Sequence, residues 1–346
     1  MKFCRSLFLI LVLLLVSVSA GLAQADKLTY LAGRLDEAQL AELQELAPNV
    51  VFLSGLSDEQ ALAQAAEIDG ADAHVLTADF LAAATNLRWV QSWSAGVDGY
   101  LEIEGLRDNE QIVLTNMQGV HGPAIAEHVM GSLLALTRKL PQLHAAQREG
   151  RWDRQASAGA TTLSGRTMFV VGMGGIGSQV ARRAHAFDMK VLATVRNPDK
   201  KEKPAYVDRM GGAADLDEFL AESEVVVVAL PLTDETRGLF DAAAFARLPA
   251  GSWFVNIGRG PIVDTDALVG ALESGHLAGA ALDVTDPEPL PADHVLWTMD
   301  NVIITPHVAS TASLTGERRW NIIRENVRRF AAGDDFVNVV DKKTGY

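Results

Sequence analysis

Between Thr167 and Val195 the chain switches hydrophobic period twice, and this constrains the fold more than any other stretch. Met168-Phe169-Val170-Val171 is an apolar run short enough for one buried strand. Gly172, Gly174 and Gly177 follow in a G-x-G-x-x-G spacing. Ile176, Val180, Ala184 and Phe187 then recur every three or four residues, as on one face of a helix. Val191 to Val195 reads as a second strand. The glycines therefore sit where a strand becomes a helix inside a βαβ unit, the context in which this spacing points to a dinucleotide. Gly172 permits the tight turn, Gly174 lets backbone approach a pyrophosphate, and Gly177 lets helix and strand pack closely. The N–H groups at the helix start then hold the phosphates. Out of context the triplet would be a plain turn.

The rest of the 346-residue chain repeats this alternation on both sides. Before the motif, strands are predicted at 28–31, 50–53, 73–76 and 87–93, with helices at 36–46 and 58–68. After it, strands are predicted at 225–230, 252–257, 278–282 and 302–304, with a helix at 264–274 and a last one at 313–332. Strands separated by helices imply an α/β fold with parallel, doubly wound sheets. A long helix at 123–140, with Pro123 suited to its first turn, bridges the two regions. Residues 150–165 read as a surface linker.

Residues 1–25 resemble a secretory leader. Lys2 and Arg5 precede the aliphatic run Leu7 to Val16, and Ala23-Gln24-Ala25 has the small-x-small form of a cleavage site. The alternative is an uncleaved anchor, but the apolar run is short for a span of about 20 residues. Export to the periplasm or medium is the expectation, with a cytoplasmic location as its rival. Export leaves open how a nicotinamide coenzyme would be supplied. The net charge of −14 argues against nucleic-acid binding. Any anionic substrate must then be held by a local positive site. Cys4, the only cysteine, lies in the leader, so the mature chain would lack a thiolate for metal binding or nucleophilic chemistry. His121 and His128 have no further ligands at metal-site spacing, and no metal is expected.

Three polar residues collect just beyond apolar strands: Arg259, Glu288 and His307. In an open parallel sheet those strand ends share one crevice. An arginine fork suits a carboxylate. A histidine exchanges protons near neutral pH, and a carboxylate beside an imidazole favours its protonated form. Each residue alone has a bland reading as a loop side chain; the three together are complementary. Ser94 to Gly99 is a glycine-containing loop after another strand. The N–H groups of Gly96 and Val97 suit a carboxylate, or the loop is an ordinary turn.

The segments SAGVD at 94–98, GMGGIG at 172–177, LPLTDETRGL at 230–239, NIGRGPIVD at 256–264, ALDVTDPEPL at 281–290 and TPHVAS at 305–310 resemble, in order and spacing, the D-isomer-specific 2-hydroxyacid dehydrogenase family. The resemblance spans essentially the whole mature chain. It implies two Rossmann-like domains, with a coenzyme domain (123–310) inserted into a discontinuous substrate domain (26–122 and 311–346). It implies that Arg259 binds the substrate carboxylate and carbonyl, that His307 is the acid/base, and that Glu288 pairs with it. Ser94, Gly96 and Val97 map onto the substrate-carboxylate loop and Asp283 onto a residue beside the nicotinamide amide. Coenzyme contacts are implied at Gly172, Gly174, Gly175, Ile176, Gly177, Arg196, Leu230, Pro231, Thr236, Ile257 and Gly258. The implied substrate is a small 2-oxo or 2-hydroxy acid such as glyoxylate, hydroxypyruvate or pyruvate, and the implied assembly is a homodimer.

One departure bears on the coenzyme. NAD-preferring members carry an acid at the end of the second strand for the adenosine ribose. Here that place reads Thr194-Val195-Arg196-Asn197, with no acid before Asp199. NADP is therefore favoured over NAD, with Arg196 either binding a 2′-phosphate or lying over the adenine. Two rivals to a working reductase are a coenzyme-sensing protein of the same fold without turnover, and an exported chain that retains its coenzyme tightly or uses the fold otherwise.

Overall fold

In a computed structural model, residues 27–33 and 35–345 are described. The proposed leader lies outside them. The described chain builds two all-parallel sheets. The first contains β1 (Leu28–Ala32), β2 (Val50–Ser54), β3 (Gly70–Asp72), β4 (Trp89–Gln91) and β5 (Val113–Thr115), in the order β2-β1-β3-β4-β5. The second contains β6 (Thr167–Val171), β7 (Lys190–Thr194), β8 (Arg209–Gly211), β9 (Val225–Val228), β10 (Ser252–Asn256), β11 (Leu277–Leu282) and β12 (Val302–Ile304), in the order β12-β11-β10-β9-β6-β7-β8. The order reverses between β6 and β9, and that topological switch point is where α/β sheets open a crevice for ligands.

The second sheet is buried on both faces. Its central strands are therefore continuous apolar runs rather than alternating ones. Met168, Val170, Val225 and Val227 point into one core layer; Phe169, Val171, Val226 and Val228 point into the other. The first layer is closed by the helix Gly122–Thr137, which supplies Ile125, Val129 and Leu133. In the first sheet Leu31 and Val90 face one layer, and Tyr30 and Trp89 the other. Chain-distant aromatics complete that second layer. Phe330 lies on the C-terminal helix Ser313–Ala332, and the Phe336 ring stacks 4.8 Å from that of Trp89. The buried amide of Asn326 donates to Gln91 Oε1 at 2.9 Å, so the end of the chain is held to the first sheet by polar as well as apolar contacts.

Several sequence expectations shift; the helix predicted at 58–68 ends at Ala63, followed by a 3-10 turn at Ala65–Glu67. The strand predicted at 73–76 falls three residues earlier, at Gly70–Asp72, and Ala73–Val75 is a 3-10 turn. The carboxylate of Asp72 explains the stop: it accepts from Tyr30 Oη at 2.6 Å and from the Gly33 N–H at 2.7 Å, pinning the strand end to β1. The strand predicted at 87–93 is trimmed to Trp89–Gln91. The helix predicted at 123–140 stops at Thr137, because Lys139 adopts a left-handed φ of 55° before a new helix, Leu140–Arg148. The edge strands β5 and β8 were not foreseen; each has only three residues, too few to show a period.

His121, which precedes the helix Gly122–Thr137, is 4% exposed, and its Nδ1 has no partner among the described residues. Burial, reinforced by the nearby Arg319 charge, lowers its pKa to about 4. An unfolded histidine binds its proton near pH 6.5, so between about pH 6.5 and 4 protons favour the unfolded chain. Stability is expected to fall through that window by roughly 3 kcal/mol at most from this group. Urea denaturation of wild type and His121→Gln at pH 7.5, 5.5 and 4.5 checks this: the variant should show the shallower decline.

Candidate active site

The glycine loop meets the steric demands its sequence implies. Gly172 has φ 101°, and a Cβ there would lie 2.7 Å from the Ala229 carbonyl oxygen. A Cβ on Gly177 would lie 1.9 Å from the Gly172 oxygen. Nothing stands within 4 Å of a Cβ on Gly174, the residue that opens the helix Gly175–Ala186 with no side-chain cap. Uncapped N–H groups at a helix start, facing open space, fit a pyrophosphate. Ile176, in the first turn of that helix, packs against the core layer beneath it. Leu230 lies at the start of the loop after β9, and Gly258 at the start of the loop after β10. A Cβ on Gly172 would come 2.9 Å from Leu230 Cδ2, and one on Gly258 would come 2.7 Å from the Leu230 oxygen. The candidate contacts from three separate strands thus gather at the switch point. Thr236 Oγ1 donates to the Pro231 carbonyl at 2.8 Å and accepts from the Thr233 N–H at 2.8 Å, shaping that rim. Ile257 is buried against the same core. Arg196 is exposed just after β7, and the next acid, Asp199, lies in a 3-10 turn beyond it. Lys201, which sequence reasoning passed over in a run of charged residues, donates to the Met173 carbonyl inside the glycine loop.

Arg259, Glu288 and His307 follow β10, β11 and β12, three strands adjacent in the sheet. Gly260 allows the β10 and β11 loops to touch: a Cβ there would sit 1.8 Å from the Thr285 oxygen. His307 Nδ1 lies 2.7 Å from Glu288 Oε1. With Glu288 as acceptor, Nδ1 carries the hydrogen and Nε2 is the nitrogen left for a reacting oxygen. His307 reaches this position in a left-handed conformation, φ 54°. Its N–H donates to the Asp283 carbonyl at 2.8 Å. The Asp283 carboxylate, 6% exposed, accepts from Thr305 Oγ1 at 2.6 Å and from the N–H groups of Val308 and Ala309, both at 3.0 Å. A carboxylate has about four acceptor positions, so these bonds leave room for one more donor, such as an amide. His128 Nε2 lies 3.1 Å from Thr305 Oγ1, which gives it a supporting place behind the loop.

The loop after β4 completes the cleft. Its carbonyls are tied inward: Asn116 Nδ2 donates to Ala95 O at 2.8 Å and the Met117 N–H to Ser94 O at 3.1 Å. The Ser94 N–H donates to Ser92 Oγ. Among the described residues none accepts from the N–H groups of Gly96 and Val97. The Arg259 guanidinium lies directly over this loop; a Cβ on Gly96 would fall 1.6 Å from its Nη2. Two backbone donors without partners among the described residues and a guanidinium over the same loop suit a carboxylate. Asp98, at the end of the same loop, bonds Arg259 and carries a role the sequence reading had not given it. Among the described residues no group of histidine, cysteine and acidic side chains could hold a metal ion.

The model of the "D-isomer specific 2-hydroxyacid dehydrogenase, NAD binding domain" matches residues 130–309. A glyoxylate reductase of Thermofilum pendens is 34% identical over 271 residues, 78% of this chain and 79% of that one. Among solved structures, a D-isomer specific 2-hydroxyacid dehydrogenase from Xanthobacter autotrophicus Py2, in complex with NADPH and MES, superposes with a TM-score of 0.78 at 34% identity, covering 93% of this chain and 100% of that one. An NADPH-dependent glyoxylate/hydroxypyruvate reductase from Sinorhizobium meliloti, in complex with NADP and sulfate, gives a TM-score of 0.75 at 30% identity, covering 92% of this chain and 100% of that one.

The glycine loop yields a direct test. In Gly177→Ala the new methyl meets backbone, which cannot rotate away, so the helix must shift off the strand. Such overpacking costs about 1–3 kcal/mol. Titration of the variant with NADPH, followed by fluorescence, should show affinity reduced at least about tenfold, with secondary structure retained by circular dichroism.

Proposed function

This chain belongs to the D-isomer specific 2-hydroxyacid dehydrogenase family, and from that premise we propose the roles by which its residues interconvert a 2-oxo acid and a D-2-hydroxy acid. It is an NAD(P)-dependent oxidoreductase. The observations that carry the assignment of roles are the pairing of His307 with Glu288, on the loops after β12 and β11, and a guanidinium on the loop after the adjacent β10 that lies over Gly96, in a loop whose Gly96 and Val97 N–H groups are unbonded among the described residues. The substrate carboxylate sits on the Gly96 and Val97 N–H groups, and Arg259 spans carboxylate and carbonyl. His307, held through Nδ1 by Glu288, gives a proton from Nε2 to the carbonyl oxygen in reduction and takes it back in oxidation. Ser94 fixes the entry to that loop. The residues around Gly172–Gly177, with Leu230, Pro231, Thr236, Ile257 and Gly258, would hold the coenzyme at the switch point, and Asp283 would offer its remaining acceptor position to the carboxamide. When bound, the reduced coenzyme supplies the hydride to C2.

The substrate class is a small 2-oxo acid of the glyoxylate, hydroxypyruvate or pyruvate kind. NADP is the preferred coenzyme: the segment just past β7 carries Arg196 and, unlike NAD-preferring members, no acid at the strand end to repel a 2′-phosphate. Exposed apolar groups on the segment after the bridging helix, Leu140 at 49% and Trp152 at 91% exposure, support a homodimer that covers this segment. Residues 1–25 act as an export leader, so the mature chain begins at Asp26. No helix among the described residues is long and apolar enough to cross a membrane.

Absorbance at 340 nm, with NADPH and NADH against a panel of 2-oxo acids, tests this reading. Oxidation of NADPH by at least one of them is expected. Coenzyme binding without turnover of any would instead favour a sensor. Arg259→Lys should lower kcat/KM by roughly 10–100-fold, because a point ammonium cannot replace the fork. His307→Gln should lower kcat by about 10²–10⁴. Separately, Arg196→Ala should cut the kcat/KM ratio of NADPH to NADH by roughly tenfold, the value of a charge-assisted bond; an unchanged ratio would remove Arg196 from the 2′-phosphate site.

A further inference from the structure

Arg259 is not loose in the cleft. Its Nε and Nη2 lie 3.2 and 3.0 Å from Asp98 Oδ1, and Nε is 3.4 Å from Oδ2. Its Nη1 donates to the Gly258 carbonyl at 2.8 Å. Asp98 opens the short helix Asp98–Leu101 after β4, whereas Arg259 follows β10, so the pair links the loops of the two sheets. We propose that Asp98 is a positioning residue for the reaction: by holding one edge of the Arg259 guanidinium it aims the other edge, with the Gly96 and Val97 N–H groups, at the substrate carboxylate. The inference rests on the role assigned to Arg259 above.

The donor inventory of the side chain supports it. A guanidinium has five N–H hydrogens in a fixed plane. Asp98 takes the Nε hydrogen and one from Nη2, and the Gly258 carbonyl takes one from Nη1. One hydrogen remains on each terminal nitrogen. Those two match a bidentate acceptor such as a carboxylate or the oxygens of a 2-oxo acid. Nη2 lies against Gly96, in the loop whose Gly96 and Val97 N–H groups are unbonded among the described residues. Rotation about the arginine stem would exchange these edges, and Asp98 blocks it. Stability is a poor rival explanation. The side chains of Arg259 and Asp98 are 27% and 39% exposed, and ion pairs in such settings contribute about 0–1 kcal/mol. Asp98 also leaves Arg259 without surplus charge, so geometry rather than bare attraction selects the ligand.

Steady-state kinetics of the full chain with Asp98→Ala and Asp98→Asn, at saturating NADPH and varied 2-oxo acid, test the proposal. In Asp98→Ala, KM for the 2-oxo acid should rise about thirtyfold, the worth of a charged hydrogen bond, while KM for NADPH stays within about twofold. Asp98→Asn keeps the Oδ1 acceptor and loses the charge, so its KM should rise only about fivefold; it serves as the deciding variant should the alanine chain not fold. In an Arg259→Ala background, Asp98→Ala should have no further effect on kcat/KM. An unchanged KM in either variant overturns the proposal. So does a lowered KM, which would make Asp98 a competitor of the substrate, or an equal penalty with and without Arg259. Wild type that turns over no 2-oxo acid overturns the functional reading as well. Wild-type turnover with indifferent Asp98 variants overturns this inference alone.

Discussion

The buried carboxylate of Asp283 is the tie on which the site depends. A parallel strand ends with N–H groups that have lost their ladder partners, and a loop that turns back over the sheet adds more. Left dry and unbonded, each would cost about 1–3 kcal/mol. Asp283 collects the Val308 and Ala309 N–H groups and the Thr305 hydroxyl, while its own carbonyl takes the His307 N–H. The segment 305–309 is thereby folded onto the end of β11. That fold puts His307 in the left-handed region, a conformation unusual for a residue with a side chain. Strain of this kind, of order 1–3 kcal/mol, persists only where the surroundings over-determine it. Here four bonds to one residue do so, and the result is an imidazole whose Nδ1 meets Glu288.

The rest of the site follows the same rule, that polar strand ends are satisfied from neighbouring strands. Asn256, the last residue of β10, accepts from the Gly258 N–H and donates to the Arg259 carbonyl, so the arginine leaves the strand in a fixed direction. Asp72 closes the end of β3 onto β1, and Asn116 ties the loop after β4. Few of these side chains are available to touch a ligand. They set the direction of those that do, while Gly172, Gly177, Gly258 and Gly260 let backbone approach backbone and Gly96 lets it approach a guanidinium.

What could be read from the sequence divides along this line. The α/β class was legible because β6 and β9 are unbroken apolar runs and the helix after the glycines has a clear period. Arg259, Glu288 and His307 were legible because each is a charged or titratable residue just past an apolar strand, in the family's spacing. Asp98, Asn116 and Asn256 were not. Their significance lies in partners 161, 21 and 3 residues away, and a single sequence carries no signal for the longer pairings. Lys201 was hidden because a lysine in a charged run is ordinarily solvated. The misplaced third strand has a similar cause: Ala73 to Leu76 is as apolar as a strand, but the Asp72 bonds end the ladder before it.

A site for an anion in a chain of net charge −14 raises a question of long-range repulsion. Screening answers most of it, since at about 0.15 M salt the field of surface charges decays over roughly 8 Å. Inside the cleft the Arg259 charge is paired with Asp98, and His307 is hydrogen-bonded to Glu288. An incoming carboxylate therefore gains little from bare Coulomb attraction and much from donors already in place, the two free N–H groups and the unused guanidinium edge. Preorganised donors need no rearrangement when charge develops on the substrate oxygen, so they favour the transition state over the ground state. A site with unpaired positive charge would hold anions more tightly and less selectively, and product as firmly as substrate. On the proposed reading, the Arg259–Asp98 pair thus belongs with specificity and turnover rather than with the stability of the fold.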